Sequence, residues 1–214
     1  MQSEPLILGF DTSAAHCAAA LLRGDTILAQ ADETMPRGQA ERLMPLLEDV
    51  LAQGGAAWRD LEALAVGVGP GNFTGIRIAV AAARGLALGL GRRAIGVSVF
   101  EARAQGLPRP LTVIEQARRG EVYVQRFTPE AENPFLQALE GAVAFGDGVV
   151  TGSAASDWAA QTGESVLAAR YPLAEGIARA ARARLDQDHK RPAPLYIRPA
   201  DAAPPSEAPP ALLP

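Results

Sequence analysis

Ala65-Val66-Gly67-Val68-Gly69-Pro70-Gly71-Asn72-Phe73-Thr74-Gly75-Ile76-Arg77-Ile78 runs from a short apolar strand, through a glycine-rich loop, into a helix that continues to about Leu90. Strand, tight loop and helix in that order mark an α/β layer, with a buried strand feeding a helix laid over its sheet. The helix is made almost wholly of small residues. Ala81, Gly85 and Gly89 recur every fourth position and therefore share one face. A face without bulky side chains lets another backbone come close, which is a packing instruction rather than a catalytic one.

Upstream, Leu6-Ile7-Leu8-Gly9-Phe10 is a continuous apolar run, as expected of a strand buried on both sides, and Asp11-Thr12-Ser13 breaks it. A second run, Cys17 to Leu22, meets Arg23-Gly24-Asp25, which reads as a hairpin turn into Thr26-Ile27-Leu28-Ala29. The chain thus opens with an antiparallel meander. A helix is expected over Ala40–Gln53, stopped by Gly54-Gly55, with Pro45 kinking it or marking its first turn. Leu43, Leu47, Val50 and Leu51 form its apolar stripe, while Met44 and Leu46 lie off it. A helix apolar on more than one side is deeply buried or shared with a partner.

Downstream, Ala94–Val97 reads as a strand and Ser98 as the cap of a short helix carrying Glu101. The pattern then restarts with Leu111–Ile114, a turn at Arg119-Gly120, the alternating stretch Val122–Phe127, a strand at Val149–Gly152, and helices near 156–161 and 172–185. A soft boundary at 98–108 divides the chain into units of 1–100 and 101–198. The Pro/Ala-rich stretch 199–214 is expected to be extended or disordered. The residues themselves show no kinship between the halves.

Length and charge bound the function. The 214 residues suffice for one large domain or two small ones. A net charge of −4 and a pI near 5.3 argue against an autonomous nucleic-acid binder. The single cysteine, Cys17, excludes an intrachain disulfide and fits a reducing compartment. Met1–Pro5 lacks the marks of a signal peptide, and the apolar helix read over Ile78–Leu90 is too short for a bilayer and carries Arg84. The expectation is a cytoplasmic protein without membrane association.

Two readings stay open at each chemistry-bearing stretch. Asp11, Thr12 and Ser13 offer a carboxylate and two hydroxyls to a nucleotide's phosphates, with Asp11 near a magnesium-bound water, or they form an Asp-initiated turn. Gly69, Gly71, Thr74 and Gly75 offer a phosphate cradle at a helix N-terminus, or glycine there only supplies backbone geometry. The loop is neither a Walker nor a Rossmann fingerprint. His16 and His189 lack metal-ligand spacing; His16 reads as a turn or packing residue and His189 as solvated. Cys17 reads as an inert packed thiol, and Arg118-Arg119-Gly120-Glu121 as anion contacts or an exposed charged turn. No catalytic or metal-ligating residue emerges.

In order along the chain, several stretches resemble one family. They are Ile7-Leu8-Gly9-Phe10-Asp11-Thr12-Ser13, Cys17-Ala18-Ala19-Ala20-Leu21, Glu41-Arg42-Leu43-Met44-Pro45-Leu46-Leu47, and the stretch Ala65–Ile78. Ala117-Arg118-Arg119-Gly120-Glu121-Val122-Tyr123 and Leu195-Tyr196-Ile197-Arg198 follow. They are similar to the TsaB (YeaZ) family of partner subunits in threonylcarbamoyladenosine synthesis on tRNA. The likeness covers roughly residues 6–128 well and the rest thinly.

The resemblance implies an α/β fold of the actin-like, sugar-kinase-like (ASKHA, ribonuclease-H-like) superfamily, with mixed sheets, flanking helices and two subdomains. It implies a non-catalytic subunit of the complex that forms N6-threonylcarbamoyladenosine at position 37 of tRNAs reading ANN codons. The partners so implied are a TsaD-type catalytic paralogue, a TsaE-type ATPase and, indirectly, tRNA, with a homodimer when the chain is alone. Leu43, Leu47 and Leu51 with Arg77, Ala81, Arg84, Gly85, Leu88 and Gly89 are then the docking surface. No tightly bound cofactor or metal is implied, though ATP or ADP with magnesium has room in or beside the interface. Gln39 stands where many relatives carry His, and Gln116 where Asp is usual. The competing readings are a stand-alone nucleotide-binding phosphotransferase using Asp11 and the Gly69–Gly75 loop, and a metallopeptidase.

Overall fold

The structure is a computed structural model that describes residues 4–146, 148–187 and 190–197. The expectations for His189, Arg198 and the 199–214 stretch lie outside the described residues. β1 (Leu6–Asp11), β2 (His16–Arg23) and β3 (Thr26–Thr34) form the expected meander, turned at Gly24 with φ 55°. α1 (Gln39–Gln53), a 3₁₀ turn at Trp58–Asp60, β4 (Ala63–Gly67), α2 (Phe73–Leu90) and β5 (Arg93–Val97) follow. β4 and β5 add in parallel to the far side of β1, giving the order β3-β2-β1-β4-β5.

After α3 (Val99–Ala104) the same path is walked again. β6 (Leu111–Gln116), β7 (Glu121–Phe127) and β8 (Phe135–Ala138) form a second antiparallel meander. β9 (Val149–Thr151), α4 (Ala155–Thr162) and β10 (Ser165–Val166) complete a sheet of order β10-β9-β6-β7-β8, with β6, β9 and β10 parallel. Two mixed sheets of equivalent topology are the duplicated architecture of the actin-like, sugar-kinase-like fold. The kinship of the halves, invisible in the residues, is plain in the strand order. β8 and β10 escape sequence reading because they are short and no residue in them is fully buried.

Central position explains why β1 is an unbroken apolar run: both of its faces are covered. On one face, Leu43, Leu46, Leu47 and Val50 of α1 and Ile76, Ala79, Val80 and Ala83 of α2 pack on Leu8, Phe10, Leu21 and Val66. On the other, Val99 and Ala102 of α3 meet Leu173, Ile177 and Ala178 of α5 (Leu173–Arg182) over Ile7, Leu22, Ala65 and Ile95. A cut near residue 100 therefore separates the sheets in sequence, while α5 returns from the second half to cover the first sheet.

Two helix readings change. Pro45 lies in the second turn of an α1 that continues through it, and Leu46, read as off the stripe, is buried while Met44 faces outward. α2 begins at Phe73, not near Ile78; its 18 residues and mean hydropathy of 1.4 make it long and apolar enough to cross a bilayer by length and composition. Ile76, Ala79, Val80 and Ala83 are instead committed to the sheet, and Arg77 and Arg84 are exposed along it, which describes an amphipathic covering helix.

Candidate functional site

Between the two sheets lies a cleft of about 720 Å³, bounded by the loop after β1, the start of α2, the end of β6 and the segment Leu195–Ile197. Its first wall is built on Asp11, wholly buried at the end of β1. Asp11 Oδ1 accepts from the backbone N–H and hydroxyl of Ser13, both at 2.8 Å, and from His16 Nε2 at 2.7 Å. Burial works to lower the His16 pKa, but the hydrogen bond and charge of Asp11, with Asp32 behind it, outweigh that and raise it above the ordinary value. His16, read from sequence as a turn or packing residue, is thus the partner of the site's buried carboxyl and itself lines the cleft.

The glycine-rich loop is fastened to this wall. Thr12 Oγ1 donates to the Gly75 carbonyl (2.7 Å), and the Asn72 N–H donates to the Ser13 carbonyl (2.6 Å). Asn72 caps α2, its Oδ1 accepting from the N–H groups of Thr74 and Gly75 at 3.0 and 3.1 Å. A Cβ on Gly75 would lie 1.9 Å from the Thr12 carbonyl oxygen, so only glycine permits this approach.

The fit of a magnesium nucleotide follows from these contacts. The N–H groups of Thr74 and Gly75 are occupied by Asn72, and Thr12 is buried with its hydroxyl bound. Asp11 Oδ2 has no hydrogen-bond partner among the described residues, but it is buried against Gly67 and out of reach of a ligand in the cleft. Of Asp11, Thr12, Ser13, Gly69, Gly71, Thr74 and Gly75, only Ser13 and Gly71 line the cleft. The other five are turned away from it, and Thr12, Ser13, Asn72 and Gly75 form a clasp between β1 and α2. Among the described residues no three His, Cys, Asp or Glu side chains converge to hold a metal.

The opposite wall is also internally satisfied. Glu115, nearly buried near the end of β6, accepts from Arg103 Nε at 3.2 Å and from the Ser153 hydroxyl at 2.7 Å, and the Gln116 N–H donates to Ser153 Oγ at 2.8 Å. Arg103 belongs to α3, which covers the first sheet, so this ion pair ties that layer to the second sheet. At the mouth, Arg77 Cζ lies 3.7 Å from the Phe73 ring centre, and its Nε donates to the Tyr196 hydroxyl at 2.8 Å. Phe73 and Tyr196 stack at 4.9 Å. Arg118 and Arg119 sit on an exposed turn, and Arg118 lines the cleft.

A second surface lies along α2. Arg77, Ala81, Arg84, Gly85, Leu88 and Gly89 are all exposed, Leu88 at 85%, and a Cβ at Gly85 or Gly89 would touch nothing within 4 Å. Leu43, Leu47 and Leu51, placed on the docking surface by sequence reading, are corrected. They are buried in this chain's own core, because the stripe that reads as spare is the one that covers the sheet. Met44, beside them, is the large apolar side chain α1 leaves exposed.

A family model described as "TsaD: tRNA N6-adenosine threonylcarbamoyltransferase" matches residues 28–184. The chain belongs to this family. Among its relatives is the tRNA threonylcarbamoyladenosine biosynthesis protein TsaB of Escherichia coli (strain K12), 42% identical over 123 residues, which are 55% of this chain and 52% of that protein. The chain spans about half the length of the curated relatives it matches. A crystal structure from Pseudomonas aeruginosa, of a protein described as similar to peptidase YEAZ, superimposes with a TM-score of 0.72 at 28% identity, covering 91% of this chain and all of that one. The activator of the 2-hydroxyisocaproyl-CoA dehydratase from Clostridium difficile, solved with bound ADPNP, shares the fold at a TM-score of 0.58 and 12% identity, over 85% of this chain and 94% of that one. The likeness to TsaB and YeaZ proteins stands.

Sequence reasoning missed the roles of four residues that shape the site, Asn72, His16, Glu115 and Ser153. Asn72 carried a visible signal, since asparagine before a helix is a preferred N-cap. His16 pairing with Asp11 and the Glu115–Ser153 contact carried none, because each depends on how separate strands end beside one another.

Proposed function

We propose that this chain is the non-catalytic partner subunit of the complex that forms N6-threonylcarbamoyladenosine at position 37 of tRNAs reading ANN codons, working in the cytoplasm. It pairs with a TsaD-type transferase, and a TsaE-type ATPase joins them. The open face of α2 carries this reading. Ala81, Gly85 and Gly89 leave room for a partner helix at close approach, and Leu88 stands proud where burial would contribute roughly 1.5–3 kcal/mol. Without the transferase, this face is available to a second copy of the chain.

The two buried carboxyls behind the cleft walls point the same way. Asp11 and Glu115 are engaged by Ser13, His16, Arg103 and Ser153, an arrangement suited to holding shape rather than moving protons. The test is threonylcarbamoyl transfer to tRNA by the TsaD-type partner with its adenylate donor and the TsaE-type ATPase, with and without this chain. Co-elution of the two paralogues is followed in the same samples. Transfer that depends on this chain, with co-elution, supports the reading; full transfer without it and no complex would sink it.

A further inference from the structure

Along the C-terminal half of α2, a helix about 27 Å long whose first turn borders the cleft, lies a depression of about 850 Å³. Four arginines line it, Arg84, Arg92, Arg93 and Arg191, against a single acid among the described residues, Asp186. All four are exposed, and none is ion-paired to a carboxylate among the described residues. This concentration of positive charge stands out on a chain whose net charge is −4.

Two of the arginines are held in place by backbone. Arg92 Nη2 donates to the Arg59 carbonyl at 3.1 Å, and Arg93 Nη1 donates to the Leu185 carbonyl. A guanidinium carries five N–H donors, so one bond to a carbonyl fixes the fork and leaves the others free. Arg59, itself 87% exposed at the side chain, extends the basic field beyond the depression, with Asp60 3.8 Å away. Complementing the negative C-terminal end of α2 needs one or two cations. Charges drawn from α2, from the start of β5 and from the segment after α5 converge for a larger anion.

We infer that this arginine-lined depression holds the phosphate backbone of RNA, and that it is where this chain touches the tRNA. The assignment rests on the tRNA reading above. Arginine forks match phosphate oxygens in pairs, and several of them along a concavity suit a polyanion of regularly spaced charges better than a single ion. Arg84, Gly85 and Leu88 belong both to the lining of the depression and to the docking face, so a tRNA held by Arg92, Arg93 and Arg191 would lie against a partner seated on α2. Contacts of this type position the nucleic acid without reading its sequence.

The test measures binding of a fluorophore-labelled, unmodified transcript of a tRNA reading ANN codons across 50–200 mM salt. The full chain is used alone and with the TsaD-type transferase, comparing wild type with Arg92→Gln/Arg191→Gln. Arg191→Gln alone is included because that side chain makes no hydrogen bond among the described residues. Circular dichroism checks that each variant is folded.

The double variant should bind roughly tenfold more weakly at the lower salt, with a salt dependence shallower by about two counterions. Binding by the free chain that needs these arginines, without a complex forming, upholds the RNA site and overturns the partnership. A complex that forms and binds tRNA equally well with both arginines removed overturns the site and leaves the partnership standing. No binding by wild type in either state at 50 mM salt also overturns it. So does displacement of the tRNA by poly-glutamate at equal charge concentration, which would assign the face to an acidic protein.

Discussion

Asp11 Oδ2 occupies the space a side chain on Gly67 would need: an ideal Cβ there would lie 1.9 Å from it. The two residues end neighbouring parallel strands, β1 and β4, and the carboxyl of one is folded over the bare backbone of the other. Four residues of α2's clasp, Thr12, Ser13, Asn72 and Gly75, build on that contact. An acid that looks like a phosphate-site residue in the sequence is thereby turned inward, and its neighbours bind each other.

Gly67→Ala and Gly75→Ala should each destabilise the fold by at least about 2 kcal/mol, since the new methyl meets a buried carboxyl in one and a backbone carbonyl in the other. Gly85→Ala in the same helix should be neutral or stabilising by up to ~1 kcal/mol, because its Cβ enters open space. Urea unfolding midpoints compare the three. Equal midpoints for Gly75→Ala and wild type would refute the clasp.

Stability should fall as pH rises through the native pKa of His16. That pKa is raised above 6.5, so the folded state holds the proton more tightly than the unfolded chain. The stabilisation is full below the unfolded value and is lost as pH climbs through the raised native one. His16→Asn should flatten this part of the profile, and an NMR titration of the His16 ring should show a midpoint above 6.5. With only one other histidine in the chain, the signal is readily assigned.

Cys17 should resist alkylation in the native protein. It is fully buried on β2, and burial first, then the negative charge of Glu33, pushes its thiol up to about 11. Labelling with iodoacetamide at pH 7.5 should therefore proceed only on unfolding. Rapid labelling of the folded chain would show that β2 opens far more readily than its packing implies.

Gly85→Leu should leave the melting temperature close to wild type while weakening association with the TsaD-type partner by about tenfold or more, the cost of forcing a large side chain into a close helix contact. Sedimentation or size-exclusion of the mixed subunits reads this directly. Unchanged affinity in a folded variant would move the docking surface off α2.

The sequence by itself determined the alternation of elements, the meander at the start, the Ser98–Glu101 cap and the small-residue face of α2. Each of these depends on residues close together in the chain, where period, glycine and capping chemistry act locally. Which stripe of α1 faces the sheet was decided only in three dimensions: Leu43, Leu47 and Leu51 are apolar in either case, and the sheet's demand for cover took them. The fate of Asp11 was decided the same way. A carboxyl after a buried strand suits phosphate chemistry or internal bonding equally well, and the choice fell to His16, Ser13 and Gly67 through the pairing of β1 with β2 and β4. The arginine-lined depression is a third case. Its side chains come from positions 84, 92, 93 and 191, and only the return of the chain past α5 brings the last beside the others. Charge acts through space rather than along the sequence, so that meeting could not be read from the residues alone.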